Sequence, residues 1–113
     1  MANPETQWVG KRGEARYLFV ARAEITNTAT SQVLIAPTGD LSHFGCYIET
    51  PKPFPRKTRI KIRIAHVGKI FAATGEVVYH TNEGMGIAFR DVESADQLIL
   101  DSWLPKPIKA RKP

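Results

Sequence analysis

The chain has 113 residues, 42% of them hydrophobic and 24% charged. That profile fits one soluble domain with a real core and is too short for two comfortable ones. The longest apolar runs, residues 18–21 and 33–36, exclude a membrane-spanning helix, which needs about 20 apolar residues. The single cysteine, Cys46, excludes an internal disulfide and fits a reducing cytoplasm.

In chain order, residues 1–10 lack the basic and apolar regions of a secretory signal and read as a flexible segment. Residues 17–26 are rich in aromatic and β-branched side chains and predict a strand, with Phe19, Ala21, Ala23 and Ile25 on one side. Residues 33–37 form a short apolar run and residues 46–49 another. Pro51, Pro53 and Pro55 rigidify the next connection and keep it out of a ladder. Residues 59–64 alternate strictly, so that Ile60, Ile62 and Ile64 share one face and Arg59, Lys61 and Arg63 the other. Residues 70–80 read as a longer strand, in which Gly75 predicts a bend or bulge. After the turn signal Asn82-Glu83-Gly84, Met85, Ile87 and Phe89 alternate in a last strand.

About six strands at this spacing predict a mainly β fold, a small antiparallel barrel or sandwich. The one helix comes last. Ser94-Ala95-Asp96-Gln97 has the pattern of a capping box, with Ala95, Leu98, Ile99 and Trp103 on the face expected to pack on the sheet. Pro105 ends it, and residues 105–113 read as a basic flexible tail. The domain proper is therefore expected over residues 11–104.

The net charge is +5 and unevenly spread. Lys52, Arg56, Lys57, Arg59, Lys61, Arg63 and Lys69 follow one another without an acidic residue, as do Lys106, Lys109, Arg111 and Lys112 at the end. Such a field suits phosphates, anionic lipid or an acidic partner surface, and equally a solvated face.

Two short motifs carry the chemistry. Arg12-Gly13-Glu14-Ala15-Arg16 places two arginines four residues apart just before the first strand, beside Gly10 and Gly13. Guanidinium forks suit phosphate oxygens and guanine edges. Then comes Asp40-Leu41-Ser42-His43-Phe44-Gly45, an Asp-x-Ser-x-x-Gly. An ionised Asp40 accepts only, which matches guanine N1–H and its exocyclic amino group, while Ser42 donates or accepts. Gly45 lets the backbone turn or come close to a ligand. The competing reading is a loop whose Asp and Ser bond their own backbone. Together the motifs suit a small, doubly charged guanine nucleotide.

The ordered set resembles the PilZ domain family, bacterial receptors for cyclic di-GMP. The resemblance begins with Lys11-Arg12-Gly13-Glu14-Ala15-Arg16 and continues through the Asp-x-Ser-x-x-Gly. It includes Thr74-Gly75-Glu76-Val77-Val78, Gly84-Met85-Gly86-Ile87-Ala88-Phe89 and the last helix. It implies a six-stranded antiparallel β-barrel with a C-terminal α-helix. It also implies a cyclic di-GMP site made of Lys11, Arg12, Arg16, Asp40, Ser42 and Gly45. In the family the arginine-bearing segment folds over the barrel when ligand binds, and this change signals to a downstream protein. Lys11 stands where many members carry a further arginine; lysine keeps the charge and loses the planar fork. Lys57 stands where the family often has a turn glycine.

No catalytic constellation appears, no cofactor is implied, and His43, His66 and His80 are too scattered for a metal centre. Cys46 reads as a small buried hydrophobe, and His43 as a surface loop residue or a base-stacking one. Two further functions stand beside the nucleotide receptor. One is a PilZ-like scaffold that docks a protein without nucleotide. The other is a basic barrel that binds single-stranded nucleic acid; against it, Phe19, Phe71, Tyr79 and Phe89 fall on apolar strand faces and read as core.

Overall fold

The computed structural model describes residues 6–8 and 15–105. Its strands are β1 (Thr6–Trp8), β2 (Ala15–Leu18), β3 (Arg22–Asn27), β4 (Val33–Leu41), β5 (Gly45–Glu49), β6 (Arg59–His66), β7 (Lys69–His80) and β8 (Gly84–Asp91), followed by helix α1 (Ser94–Trp103). All pairings are antiparallel, and the sheet runs β1-β2-β4-β3-β6-β7-β8-β5. A further β4–β5 pairing closes β3 to β8 into a six-stranded barrel. Closure removes the free edges that an open sheet would expose.

The strict alternation of β6 sets the barrel wall. Ile60, Ile62 and Ile64 are buried, and Arg59, Lys61 and Arg63 are exposed. Ala23, Ile25, Leu41, Cys46, Ile48, Phe71, Val77, Met85 and Ile87 complete the interior. Phe54, from the proline-rich connection, is buried as well, and its backbone N–H donates to Met85 Sδ at 3.4 Å.

Three boundaries differ from the sequence expectation. Residues 17–26 form two strands, because the chain breaks at 19–21. Thr38 holds that break: its amide donates to the Ala21 carbonyl at 2.9 Å, its hydroxyl accepts from the Ala21 N–H at 3.0 Å, and it donates to the Phe19 carbonyl. Strand β4 runs through Pro37 to Leu41, with Pro37 exposed, so Asp40 lies on a strand and not in a loop. Within the segment expected to be flexible, Thr6–Trp8 pairs with β2 as β1.

Helix α1 also departs from expectation. Its N-cap is Glu93, without a side-chain cap hydrogen bond, so the Ser94–Gln97 capping box does not form. Instead Asp96 Oδ1 accepts from the Ala72 N–H at 2.9 Å. Strand β8 ends at Asp91 opposite Thr74, and Asp96 satisfies the β7 backbone beyond that point. This fixes the helix rotation: Leu100 and Leu104 are buried, Ile99 and Trp103 pack against the core, and Ala95 and Leu98 face solvent. Trp103 joins a ring cluster with Phe19, His66 and Phe71 at centroid distances of 5.5, 5.4 and 6.4 Å. Among the described residues, no helix is long and apolar enough to cross a membrane.

Candidate functional site

The β2–β4 ladder joins the two motifs. Tyr17 pairs with Leu41, and Leu18 with Asp40. This brings Arg16, on β2, against Asp40, 24 positions further on. Arg16 Nε lies 3.2 Å from Asp40 Oδ1. Arg16 is only 7% exposed, while the Asp40 side chain is partly open. A guanidinium so far from water is tolerated because a carboxylate neutralises it. Lys11 and Arg12, the other cations expected here, lie outside the described residues.

Ser42 is fully buried and organises its own loop. Its Oγ accepts from the N–H groups of Phe44 and Gly45 at 3.0 and 3.1 Å, and it donates to the Gly45 carbonyl at 3.3 Å. The Ser42 amide bonds the same carbonyl at 2.8 Å. The spacing of Ser and Gly in this motif therefore shapes a tight turn. Gly45 is required for a second reason: a Cβ there would sit 2.1 Å from the Ile87 carbonyl oxygen on β8. His43 turns toward the helix, with Nε2 3.5 Å from Asp101 Oδ1.

Beneath the pair, Cys46 is fully buried, and burial pushes its thiol well above the ordinary 9.0; the nearby Asp40 carboxylate adds to this and Arg16 opposes it. A protonated, inaccessible thiol is no nucleophile.

Two tyrosines stand beside the pair, and the sequence reading did not place them there. Asp40 pairs with Tyr47, Tyr47 with Gly86, and Gly86 with Tyr79. These four positions form one row across β4, β5, β8 and β7. Tyr79 was expected in the core, as an aromatic on an apolar strand face, where simple alternation would put it with Val77. A register shift between Val77 and Tyr79 reverses that parity, and Tyr79 is 42% exposed. Burial raises its phenol above the ordinary 10.0, and among charged neighbours Arg16 lowers it and Asp40 raises it. A Val77-Val78-Tyr79 run carries no glycine or proline to signal such a bulge.

Comparison with known proteins agrees with this architecture. The family model described as PilZ domain matches residues 10–104. The Bacillus subtilis inhibitor of motility, MotI/DgrA, superposes with a TM-score of 0.68 at 12% identity, over 84% of this chain and 50% of that one; this chain spans about half of MotI/DgrA. The PilZ domain of CeSA from a cellulose-synthesizing bacterium superposes with a TM-score of 0.58 at 19% identity, over 75% of this chain and 89% of that one. No curated protein matches the sequence. The barrel, the late helix, the two motifs joined by β2 and β4, and a family match over most of the length lead to one conclusion: this chain belongs to the PilZ domain family.

Proposed function

We propose that this chain is a cyclic di-GMP receptor that acts by binding and not by catalysis, in the bacterial cytoplasm. The observation that carries the reading is the Arg16–Asp40 contact at 3.2 Å, which joins two motifs far apart in sequence at the barrel wall. Cyclic di-GMP has two phosphates and two guanines. Arg16, with Arg12 and Lys11, matches the phosphates and the guanine Hoogsteen edge; Asp40 matches guanine N1–H and its amino group. Asp40 is held by its ladder partners Leu18 and Tyr47, and Ser42 and Gly45, expected among the contacts, serve the site by shaping the turn that follows it. Signalling would follow from the segment bearing Lys11 and Arg12 closing on the ligand and presenting a new surface to a downstream protein.

The energy is sufficient. Charge-assisted hydrogen bonds contribute roughly 1.5–3 kcal/mol each. A few of them reach micromolar affinity, about 8 kcal/mol, after the cost of ordering a segment. Isothermal titration with cyclic di-GMP, against cyclic di-AMP and GTP, tests the reading. Selective micromolar binding is expected, and Arg16→Ala is expected to weaken it at least tenfold, about 1.4 kcal/mol. Asp40→Asn keeps the shape and removes the anionic acceptor, and should weaken it comparably. Unchanged affinity in a folded Arg16→Ala variant would refute the site. No binding by the unaltered chain would favour a scaffold that docks a protein alone.

A further inference from the structure

We infer that the outer wall around Arg22, where β4, β3, β6 and β7 lie side by side, is the surface on which the downstream protein docks, and that this partner presents an acidic side chain set among apolar ones. The inference rests on the receptor reading above for its link to ligand, and it adds a place and a chemistry for the partner.

The ladder builds the surface. Pro37 on β4, Arg22 on β3, Ala65 on β6 and Ile70 on β7 are successive cross-strand partners, and all four are exposed. Two residues before Arg22 stands Val20, and two beyond Ala65 stands Val67, both exposed as well. Single exposed apolar residues are ordinary, but a contiguous set of them marks a contact surface. Val67 adds an independent sign. It is β-branched and holds φ 49 at the tip of the β6–β7 hairpin, a costly left-handed conformation that no burial offsets. Strain kept at an exposed position points to a role other than stability.

Arg22 sets the partner's chemistry. Among the described residues no carboxylate lies within ion-pair distance of it; Glu24, the next residue on that face of β3, lies 4.0 Å from Arg63. A partner that covers the apolar ring takes the guanidinium out of water, and a buried guanidinium requires an anion. An arginine at the centre of an apolar contact is also where binding energy concentrates. A second copy of this chain is a poor fit. An isologous contact centred on Arg22 would set guanidinium against guanidinium, on a chain of net charge +5. The surface adjoins the ligand pair: Leu18, four residues before Arg22, is exposed and pairs with Asp40, and Arg16 is two residues further back.

The test is selection of a random-peptide display library on the immobilised full chain, with and without cyclic di-GMP. The enriched peptides are then titrated against folded variants, with thermal melting as the folding control and calorimetry with cyclic di-GMP alongside. The enriched peptides are expected to carry Asp or Glu between apolar residues. Arg22→Glu and Ile70→Ser should each weaken them roughly tenfold or more, the scale of a central interface residue. Replacing the peptide's acid by arginine should restore binding to Arg22→Glu. Val67→Asn should bind the peptides more weakly while melting no lower than the unaltered chain. Lys61→Glu makes the same change of charge outside the surface and should stay within about threefold. Failure to enrich such peptides, or peptides that bind Arg22→Glu as well as the unaltered chain, would overturn the surface. A dimer in sedimentation that Ile70→Ser dissolves would overturn the proposed partner in favour of a second copy. Calorimetry reads the receptor separately, since Ile70→Ser should leave cyclic di-GMP binding unchanged. No ligand heat with the unaltered chain would refute the receptor reading and the link to ligand, whatever the peptides do.

Discussion

Val67 sits at φ 49 and Gly68 at φ 77, at the tip of the β6–β7 hairpin closed by His66 and Lys69. Two consecutive residues in the left-handed region make a type I′ turn, which matches strand twist and prefers Asn-Gly. A β-branched side chain is poorly suited to the first position. Val67 is 80% exposed, so little burial compensates. Val67→Asn should therefore raise stability by about 1 kcal/mol, a shift of a few degrees in the melting temperature. An unchanged or lower midpoint would contradict the strain argument. Lys57 has the same backbone character, at φ 79 with its amide bonded to the Val77 carbonyl at 2.7 Å. That is a left-handed conformation, which glycine adopts without the steric cost of a Cβ. At this scale the sequence was informative where the interaction is local: Ser42 and Gly45 are three residues apart and make one turn. Arg16 and Asp40 were legible as chemistry but not as neighbours, since a ladder between distant strands sets their contact.

The helix shows how an element's pattern underdetermines its packing. Ala95, Leu98, Ile99 and Trp103 form one plausible face; Asp96, Leu100, Trp103 and Leu104 form another, turned slightly around the axis. Both satisfy the 3.6-residue period. The Asp96–Ala72 hydrogen bond and the ring cluster around Trp103 select the second. Leu100 is fully buried and Leu98 is 70% exposed. Leu100→Ala should cost about 2–5 kcal/mol in urea unfolding, and Leu98→Ala within about 0.5 kcal/mol. The reverse order would restore the face expected from periodicity. Strand β7 teaches the same lesson. Gly75 signals a bulge, found as a register shift between Thr74 and Gly75. The second shift, at Val77–Tyr79, has no such marker, and it turns Tyr79 from the core to the wall.

For the molecule as a whole, closure of the barrel buries Cys46 directly behind Asp40 and Arg16. Burial raises the thiol from its ordinary 9.0, so the native state holds that proton more tightly than the unfolded chain. The sign follows from linkage: this contribution to stability is fully present below about pH 9 and is lost as pH rises above it. Urea midpoints should be flat for this group from about pH 7 to 8 and fall by about pH 10. Cys46→Ala should reduce that fall. Ellman's reagent should leave the native thiol untouched and titrate one thiol in denaturant. Rapid reaction of the native protein would mean that the barrel opens at this seam.

The six strands of the barrel, the late helix, the inward face of β6 and the residue types of the two motifs follow from the sequence by itself, because each is written in local periodicity, turn chemistry or short spacing. The helix rotation, the bulge that exposes Tyr79, the extension of β4 through Pro37 and the meeting of Arg16 with Asp40 depend on tertiary structure. Each depends on pairings that exist only once the barrel closes: Asp96 with Ala72 and Arg16 with Asp40 lie 24 positions apart, and the shift at Tyr79 is set by the ladder to β8.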